Sequence, residues 1–261
     1  MVSIREPAVA GVFYPADPDQ LIQMVDGLLS EMTYPAAPPK ALIAPHAGYN
    51  YSGPIAATVY ASLRIARETI RRVVLIGPSH RVAFRGLAAS SAEAFLTPLG
   101  AVKVDRASIH RLIQLQFATL RDDAHLEEHG LEVHLPFLQR MINDFSIVPL
   151  VFGDVSYIRI AEVLSETWGG PETLIVISSD LSHYYPYDQA RELDHEAAQS
   201  ILRLDPEAIR PGQACGRVGI QALLKIAREK ELHATLLDLR NSGDTSSNQD
   251  KVVGYGAFSF D

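Results

Sequence analysis

Short apolar runs alternate along this chain with longer stretches of helical periodicity. Buried strands are predicted from β-branched and apolar runs at 41–44, 72–77, 146–152 and 173–178. Helices are predicted at 52–67, 157–167, 187–204 and 218–230, and two late strands at 235–239 and 252–260. A polar, turn-rich stretch at 241–250 is predicted to be a surface loop. This alternation predicts an α/β layered fold with a largely parallel or mixed central sheet and helices on both faces.

Length and charge narrow the class of protein. The 261 residues fit one large domain, and the pattern gives no reason to divide 1–261. Lys and Arg number 23 against 31 Asp and Glu, which gives a net charge of −8. Sequence-independent nucleic-acid binding depends on neutralising phosphates, so a chain of this sign is not expected to bind nucleic acid.

The cysteine count and the N-terminal residues bear on the compartment. The chain has one cysteine, Cys215, which fits a reducing environment. Residues 1–7 lack the basic and apolar features of a signal peptide, and the longest apolar runs are too short to cross a bilayer. We therefore expect a cytoplasmic protein with no membrane association.

Reactive side chains follow three of the predicted buried strands. His46 comes two residues after the first, His80 follows the second, and Asp180 and His183 follow the 173–178 strand. Ligands of open α/β sheets bind beyond the carboxyl ends of the strands, so these side chains should meet at one edge. Histidines at strand ends are well placed as metal ligands, although any one of them could be an ordinary hydrogen-bonded loop residue.

Cys215 adds a fourth candidate. It precedes Gly216 and Arg217 at the predicted start of a helix, where the helix dipole and a nearby cation would stabilise a thiolate. The alternative is a buried, inert cysteine. Two histidines and a thiolate suit iron, copper or zinc rather than magnesium or calcium.

Other patterns near these residues carry less weight. His125 to His129 match the His-x-x-Glu-His pattern of inverted zinc peptidases, but Gly130 follows at once and helical continuity is doubtful. We expect Glu128 and Glu132 to lie on a solvated helix start instead. Tyr184, Tyr185 and Tyr187 form an aromatic cluster that either lines a pocket or packs a loop.

The chain resembles the Memo family, also called the AmmeMemoRadiSam system protein B family. Matching stretches include REPAVAGVFYP, PHAGYNYSG, GPSH and SSDLSH, and they run in order through 5–15, 45–53, 77–80, 128–137, 178–183, 215–216, 242–244 and 252–255. The resemblance implies a fold similar to class III extradiol ring-cleavage dioxygenases, with Cys where those enzymes have Glu. It implies His46, His80 and Cys215 as metal ligands, and Asp180 and His183 as residues of the same pocket. The family name also implies a functional link to a radical-SAM protein.

Three functions remain open from the sequence. The first is an iron- or copper-dependent redox activity on a small molecule or an oxygen species, zinc being the alternative metal. In it His183 acts as acid, base or fourth ligand, and Asp180 orients His183. The second is a non-enzymatic module that binds a peptide or protein in the same cleft, as the adaptor role of animal family members implies. The third is an extradiol-type dioxygenase, which a soft thiolate ligand does not favour.

Overall fold

One mixed sheet organises the computed structural model, which describes residues 3–30, 38–246 and 248–261. The strands of the described part are β1 (Ile4–Arg5), β2 (Ala41–Ala44), β3 (Arg72–Pro78), β4 (Leu87–Ala89), β5 (Ala94–Thr97), β6 (Gly100–Val104), β7 (Thr119–Leu120), β8 (Ser146–Phe152), β9 (Thr173–Ser178), β10 (His183–Tyr185), β11 (Ala234–Asn241) and β12 (Val252–Phe260). Their order is β1-β5-β6-β8-β3-β9-β2-β12-β10, with β11 beside β12, β4 beside β8, and β7 beside β4.

Helices flank this sheet. They are α1 (Pro18–Ser30), α2 (Tyr49–Ala61), α3 (Arg106–Gln114), α4 (Asp122–Leu126), α5 (Leu135–Met141), α6 (Tyr157–Thr167), α7 (Tyr187–Leu202), α8 (Arg217–Glu229) and α9 (Ser242–Thr245). Short 3₁₀ turns lie at Ser62–Ala66, Glu132–His134 and Pro206–Ala208. α8 packs against β3, β9 and α6, whereas α2 packs against β2, β12 and α1. No helix within the described ranges combines the length and the apolarity needed to cross a membrane.

The central strands are parallel, as the sequence predicts. β6, β8, β3, β9 and β2 pair in parallel in that order, and antiparallel strands flank them on both sides. Every residue of β2 and of β9 is buried, which requires cover on both faces of the sheet. The prediction of a layered α/β fold is therefore confirmed.

The helix predicted at 52–67 differs at both ends. It begins one turn earlier, at Tyr49, because the Gly48 carbonyl already accepts from the N–H groups of Tyr51 and Ser52. The Ser52 hydroxyl donates to the Ala47 carbonyl at 2.9 Å and does not cap the helix. The α-helix ends at Ala61 and continues as the 3₁₀ turn that begins at Ser62. The 187–204 helix likewise ends earlier, at Leu202.

Candidate metal centre

Three adjacent parallel strands deliver the candidate ligands. β9 lies between β3 and β2, and all three end at the same edge of the sheet. His46 follows β2, His80 follows β3, and Asp180 follows β9. The parallel register therefore brings these side chains to one place, as expected for the carboxyl edge of such a sheet.

Cys215 reaches the same place from the loop before α8. Gly216 makes this approach feasible: a Cβ there would lie 2.5 Å from the Ser179 Cβ and 2.7 Å from the Ser178 carbonyl oxygen. The Cys215 N–H donates to the Asp180 carbonyl at 3.3 Å, and the Gly216 N–H donates to the Ser179 hydroxyl at 2.9 Å. The start of α8 is thus fastened to the residues that follow β9.

The ligand atoms of His46, His80 and Cys215 all lie within 4.8 Å of one another. The Cys215 Sγ is 3.4 Å from the His46 Nε2. Metal bonds of roughly 2.0–2.3 Å separate neighbouring nitrogen and sulfur ligands by about 3–4 Å, so this spacing suits two ligands of one ion. Two imidazoles and a thiol are a fitting donor set for iron, copper or zinc.

Ser178 determines which nitrogen of His46 carries the proton. Its hydroxyl, at the end of β9, donates to the Gly130 carbonyl and lies 2.6 Å from the His46 Nδ1. A serine hydroxyl has one proton, so Ser178 must accept the bond from a protonated Nδ1. The lone pair of His46 is then on Nε2, which faces Cys215. Burial lowers the pKa of His46 well below its usual value, which keeps the ring neutral.

Glu128 fixes a proton on the Nδ1 of His80 by accepting a hydrogen bond from it. The sequence predicted that Glu128 is solvated, and the structure shows instead that it is buried. The Glu128 carboxylate is 2% exposed and accepts from the His80 Nδ1 at 2.8 Å, the His80 N–H at 2.7 Å and the Gly130 N–H at 2.7 Å. Burial alone would raise the pKa of Glu128, but its hydrogen bonds, first of all the one from the His80 Nδ1, outweigh burial and lower the pKa to about 2. Because an ionised carboxylate only accepts, Nδ1 donates, and the lone pair of the neutral His80 ring is then on Nε2.

The sequence expectation for Cys215 needs correction as well. Desolvation, followed by the nearby Asp180 carboxylate, raises the pKa of the Cys215 thiol to about 12. The Arg217 guanidinium donates to the Gln221 side chain at 3.1 Å instead of pairing with the sulfur. The thiol alone therefore keeps its proton, and formation of the thiolate requires a metal cation to displace that proton.

Asp180 and His183 are the remaining polar residues that the sequence predicted at this site. The Asp180 carboxylate accepts from the His46 N–H at 2.7 Å, and burial raises its pKa. The His183 Nδ1 donates to the Leu181 carbonyl at 2.8 Å, so the neutral form of this ring has its lone pair on Nε2. The Leu181 carbonyl therefore orients the His183 ring, where the sequence suggested Asp180. Asp180 instead connects His46 with the loop that contains Cys215.

Comparisons with known proteins show the family to which the chain belongs. Residues 5–259 match the family model described as Memo-like protein. The chain belongs to the Memo family. A MEMO1 family protein of Aquifex aeolicus is 38% identical, with 97% of each chain covered, and one of Archaeoglobus fulgidus is 37% identical, with 98% of this chain and 99% of that one covered. The crystal structure of an uncharacterized protein of Escherichia coli K12 shares the fold, with a TM-score of 0.53 and 13% identity over 84% of this chain and 98% of that one.

The peptidase interpretation of residues 125–129 is wrong in this Memo-family chain. α4 ends at Leu126, so His125 and His129 do not share a helix face. The His125 Nε2 bonds to the Ala88 carbonyl at 3.1 Å, and its ring packs against Phe95. His129 instead packs 4.5 Å from the His80 ring and 4.9 Å from the Phe13 ring, measured between centroids.

A second group of side chains could also hold a metal ion. It consists of His80, Glu128 and His129. The three hydrogen bonds that the Glu128 carboxylate already accepts favour the first group. The sequence indicated His129 only as part of the peptidase-like pattern at 125–129 and gave no sign that it lines the cavity.

The family's N-terminal motif forms one wall of the site, and Glu132 holds it there. Glu132 is fully buried, forms an ion pair with Arg5, and accepts from the N–H groups of Ala8 and Val9 at 2.7 and 3.0 Å. The Tyr14 hydroxyl donates to the same carboxylate at 2.5 Å. The expectation that Glu132 is solvated is therefore wrong. A carboxylate with this many buried donors fixes the path of the segment.

An open cavity of about 590 Å³ lies over the histidines. His46, His80, His129, His183 and Asp180 line its floor. Its rim includes residues from the stretch predicted as a surface loop, which contains the short helix α9 and contributes three polar side chains, namely Ser242, Ser246 and Asn248. Two of the candidate ligands, His46 and His80, thus line a cavity that a small molecule can enter, and Cys215 is not among the lining residues.

Proposed function

We propose that this Memo-family protein is a metal-dependent oxidoreductase acting on a small molecule or on an oxygen species. His46, His80 and the Cys215 thiolate would hold the metal, iron or copper in the first instance and zinc as the alternative. The observation that supports this most strongly is the convergence of two imidazole lone pairs and a sulfur within 4.8 Å beneath an open cavity. Iron or copper held there would supply one-electron chemistry and a Lewis-acidic position.

The protein's own side chains have separate tasks in this proposal. Ser178 and Glu128 keep the lone pairs of His46 and His80 directed at the ion, by accepting their Nδ1 protons. His183 lines the cavity, and the neutral form of its ring would accept a proton from a bound substrate on Nε2, because Nδ1 donates to the Leu181 carbonyl. The lone cysteine fits a reducing compartment and supports a cytoplasmic location.

Metal analysis tests the proposal directly. Protein purified without added metal is analysed for iron, copper and zinc, together with His46→Ala, His80→Ala and Cys215→Ser. We expect about one equivalent in the native chain and loss in all three variants. His110→Ala, which replaces an exposed histidine of α3, is the matched control and should retain the metal. A native chain that takes up none of the three metals on titration overturns the proposal.

A second candidate, a binding module for a peptide or protein, is favoured by the apolar rim. Val12, Tyr51 and Tyr184 are 79%, 47% and 69% exposed, and all three line the cavity. A module of this kind would keep its binding in Cys215→Ser, whereas a metal-dependent activity would be lost. The thiol donor set does not favour extradiol ring cleavage, because that chemistry uses a carboxylate as third ligand.

A further inference from the structure

Tyr184 has a backbone conformation that is unfavourable for a tyrosine. Its φ is +63°, in the left-handed region that bulky residues rarely adopt. It is the extra residue of a β-bulge, because His183 pairs with Val253 and Tyr185 pairs with Val252. A glycine would fit this position without strain, so the side chain needs a reason to be there.

Packing does not supply that reason. The Tyr184 side chain is 69% exposed, and its recorded ring contact is with His183, at 5.7 Å between centroids. It lines the cavity together with Tyr51, which is 47% exposed. The strained bulge therefore holds a largely solvated aromatic face at the mouth of the cavity, beside the His183 ring.

A positively charged side chain lines the same cavity as Tyr184. Lys251 precedes β12 directly, next to Val252, the partner of Tyr185, and it lines the same cavity. Among the described residues no carboxylate pairs with Lys251. The acidic side chain of the cavity lining, Asp180, is 4% exposed at the floor, where it accepts from the His46 N–H. Lys251 is thus available to an anionic group at the rim.

We infer that the cavity binds a small planar organic anion, with its flat face on Tyr184 and its charged group at Lys251. The inference rests on the proposed function, whose substrate class it names. An aromatic ring face favours a planar partner, and an unpaired ammonium favours a carboxylate or a similar anion. The bound molecule would then extend toward His183 and the metal ligands below.

Three related probes separate shape from charge. Benzoate is planar and anionic, cyclohexanecarboxylate is anionic but not planar, and benzamide is planar but neutral. Their dissociation constants are measured by ligand-observed NMR on the full chain. We expect benzoate to bind roughly threefold to tenfold tighter than either of the others. Equal binding of all three probes, or no binding of benzoate, overturns the inference.

Substitutions identify the groups responsible. Tyr184→Ala should abolish the preference for benzoate over cyclohexanecarboxylate, and Tyr184→Phe, which keeps the ring, should retain it. Lys251→Met should abolish the preference for benzoate over benzamide. Native preferences in Tyr184→Ala or Lys251→Met, or loss of the planar preference in Tyr184→Phe, overturn the assignment.

A stability comparison tests the strain. Tyr184→Gly and Tyr184→Ala both lack the ring, but only glycine is relaxed at this φ. We expect Tyr184→Gly to melt about 2–4 °C above Tyr184→Ala, the reverse of the order in an ordinary strand. An alanine variant that melts higher overturns the argument from strain.

Zinc titration of the same samples keeps the two proposals distinguishable. A chain that binds zinc but shows no preference among the probes overturns only the inference about the ligand. A chain that prefers benzoate but binds none of zinc, iron and copper overturns the proposed function and leaves the planar-anion site standing.

Discussion

Replacing Ser178 tests the proton assignment on which the proposed metal centre depends. Ser178→Ala removes the acceptor that lies 2.6 Å from the His46 Nδ1, in a location where both residues are almost completely buried. Two outcomes are open to the His46 ring. The ring either keeps its proton on Nδ1 with no acceptor, or moves the proton to Nε2. The second outcome removes the Nε2 lone pair that would bind the metal.

Both outcomes weaken metal binding by a similar amount. A buried N–H without a partner costs about 1–3 kcal/mol. Loss of a hydrogen bond behind a ligating histidine typically lowers metal affinity about 10- to 100-fold, which corresponds to about 1.4–2.8 kcal/mol. The two figures agree, so we expect the Kd for zinc to rise about 10- to 100-fold in Ser178→Ala.

The assay is competition for zinc against a chromophoric chelator, because zinc reports affinity without redox side reactions. Ser62→Ala is the matched control: the Ser62 hydroxyl is also fully buried and also donates to a carbonyl, that of Val59. Both variants should lose some thermal stability, but only Ser178→Ala should lose zinc affinity. Wild-type zinc affinity in a folded Ser178→Ala protein would refute the reasoning.

Three further predictions concern the rest of the chain. Glu132→Gln leaves the Arg5 guanidinium buried without its counter-charge, so the free energy of unfolding in urea should fall by about 3–5 kcal/mol. Burial raises the pKa of Asp194 to about 6, although the Ser182 N–H opposes this, so the folded state binds the proton more tightly than the unfolded chain. Asp194 therefore lowers the free energy of unfolding of the native chain as the pH rises from about 4 to 6. Asp194→Asn lacks this titration, so its free energy of unfolding should rise by about 3 kcal/mol relative to that of the native chain over the same range. Since the Cys215 thiol keeps its proton, zinc binding at pH 7 should release about one proton, measured as a buffer-dependent calorimetric enthalpy.

Each of these has a control or a contradicting result. Glu6→Gln, at an exposed position, should leave the unfolding free energy nearly unchanged, and an equal loss there would exclude the buried ion pair as the cause. Parallel pH profiles of Asp194→Asn and the native chain would show that Asp194 has an ordinary pKa. Equal calorimetric enthalpies in phosphate and Tris would show that Cys215 does not ligate or is already ionised.

The fold and the strand-end residues could be predicted because they rest on local patterns. β8, β9 and β12 have the predicted bounds. A run of apolar and β-branched residues with turn-forming residues on either side is sufficient to identify a buried strand. The strand-end rule then indicated His46 and His80 without knowledge of strand order. β4, β5, β6 and β7 were not predicted, because strands of two to five residues carry too few positions to show a period. β2 is as short, but Pro45 marks the end of its apolar run.

The supporting carboxylates could not be predicted, because their partners are distant in sequence. Glu132 pairs with a residue 127 positions away, and nothing local to Glu132 indicates a buried Arg5. Glu128 lies 48 positions from His80. A carboxylate near a helix start is most often solvated, so local reasoning gave the wrong environment for both. A polar residue ending a fully buried run was the available signal for Ser178, and that signal is weak.

The proton positions in the cavity also bear on what it can bind. His46, His80 and His183 each donate their Nδ1 proton, to a hydroxyl, a carboxylate and a carbonyl respectively, and the neutral form of each ring has its lone pair on Nε2. Apart from the histidines, the ionisable lining of the cavity has Asp180 buried at the floor and Lys251 exposed at the rim. The anion preference is therefore expected to depend on the rim and to survive loss of the metal.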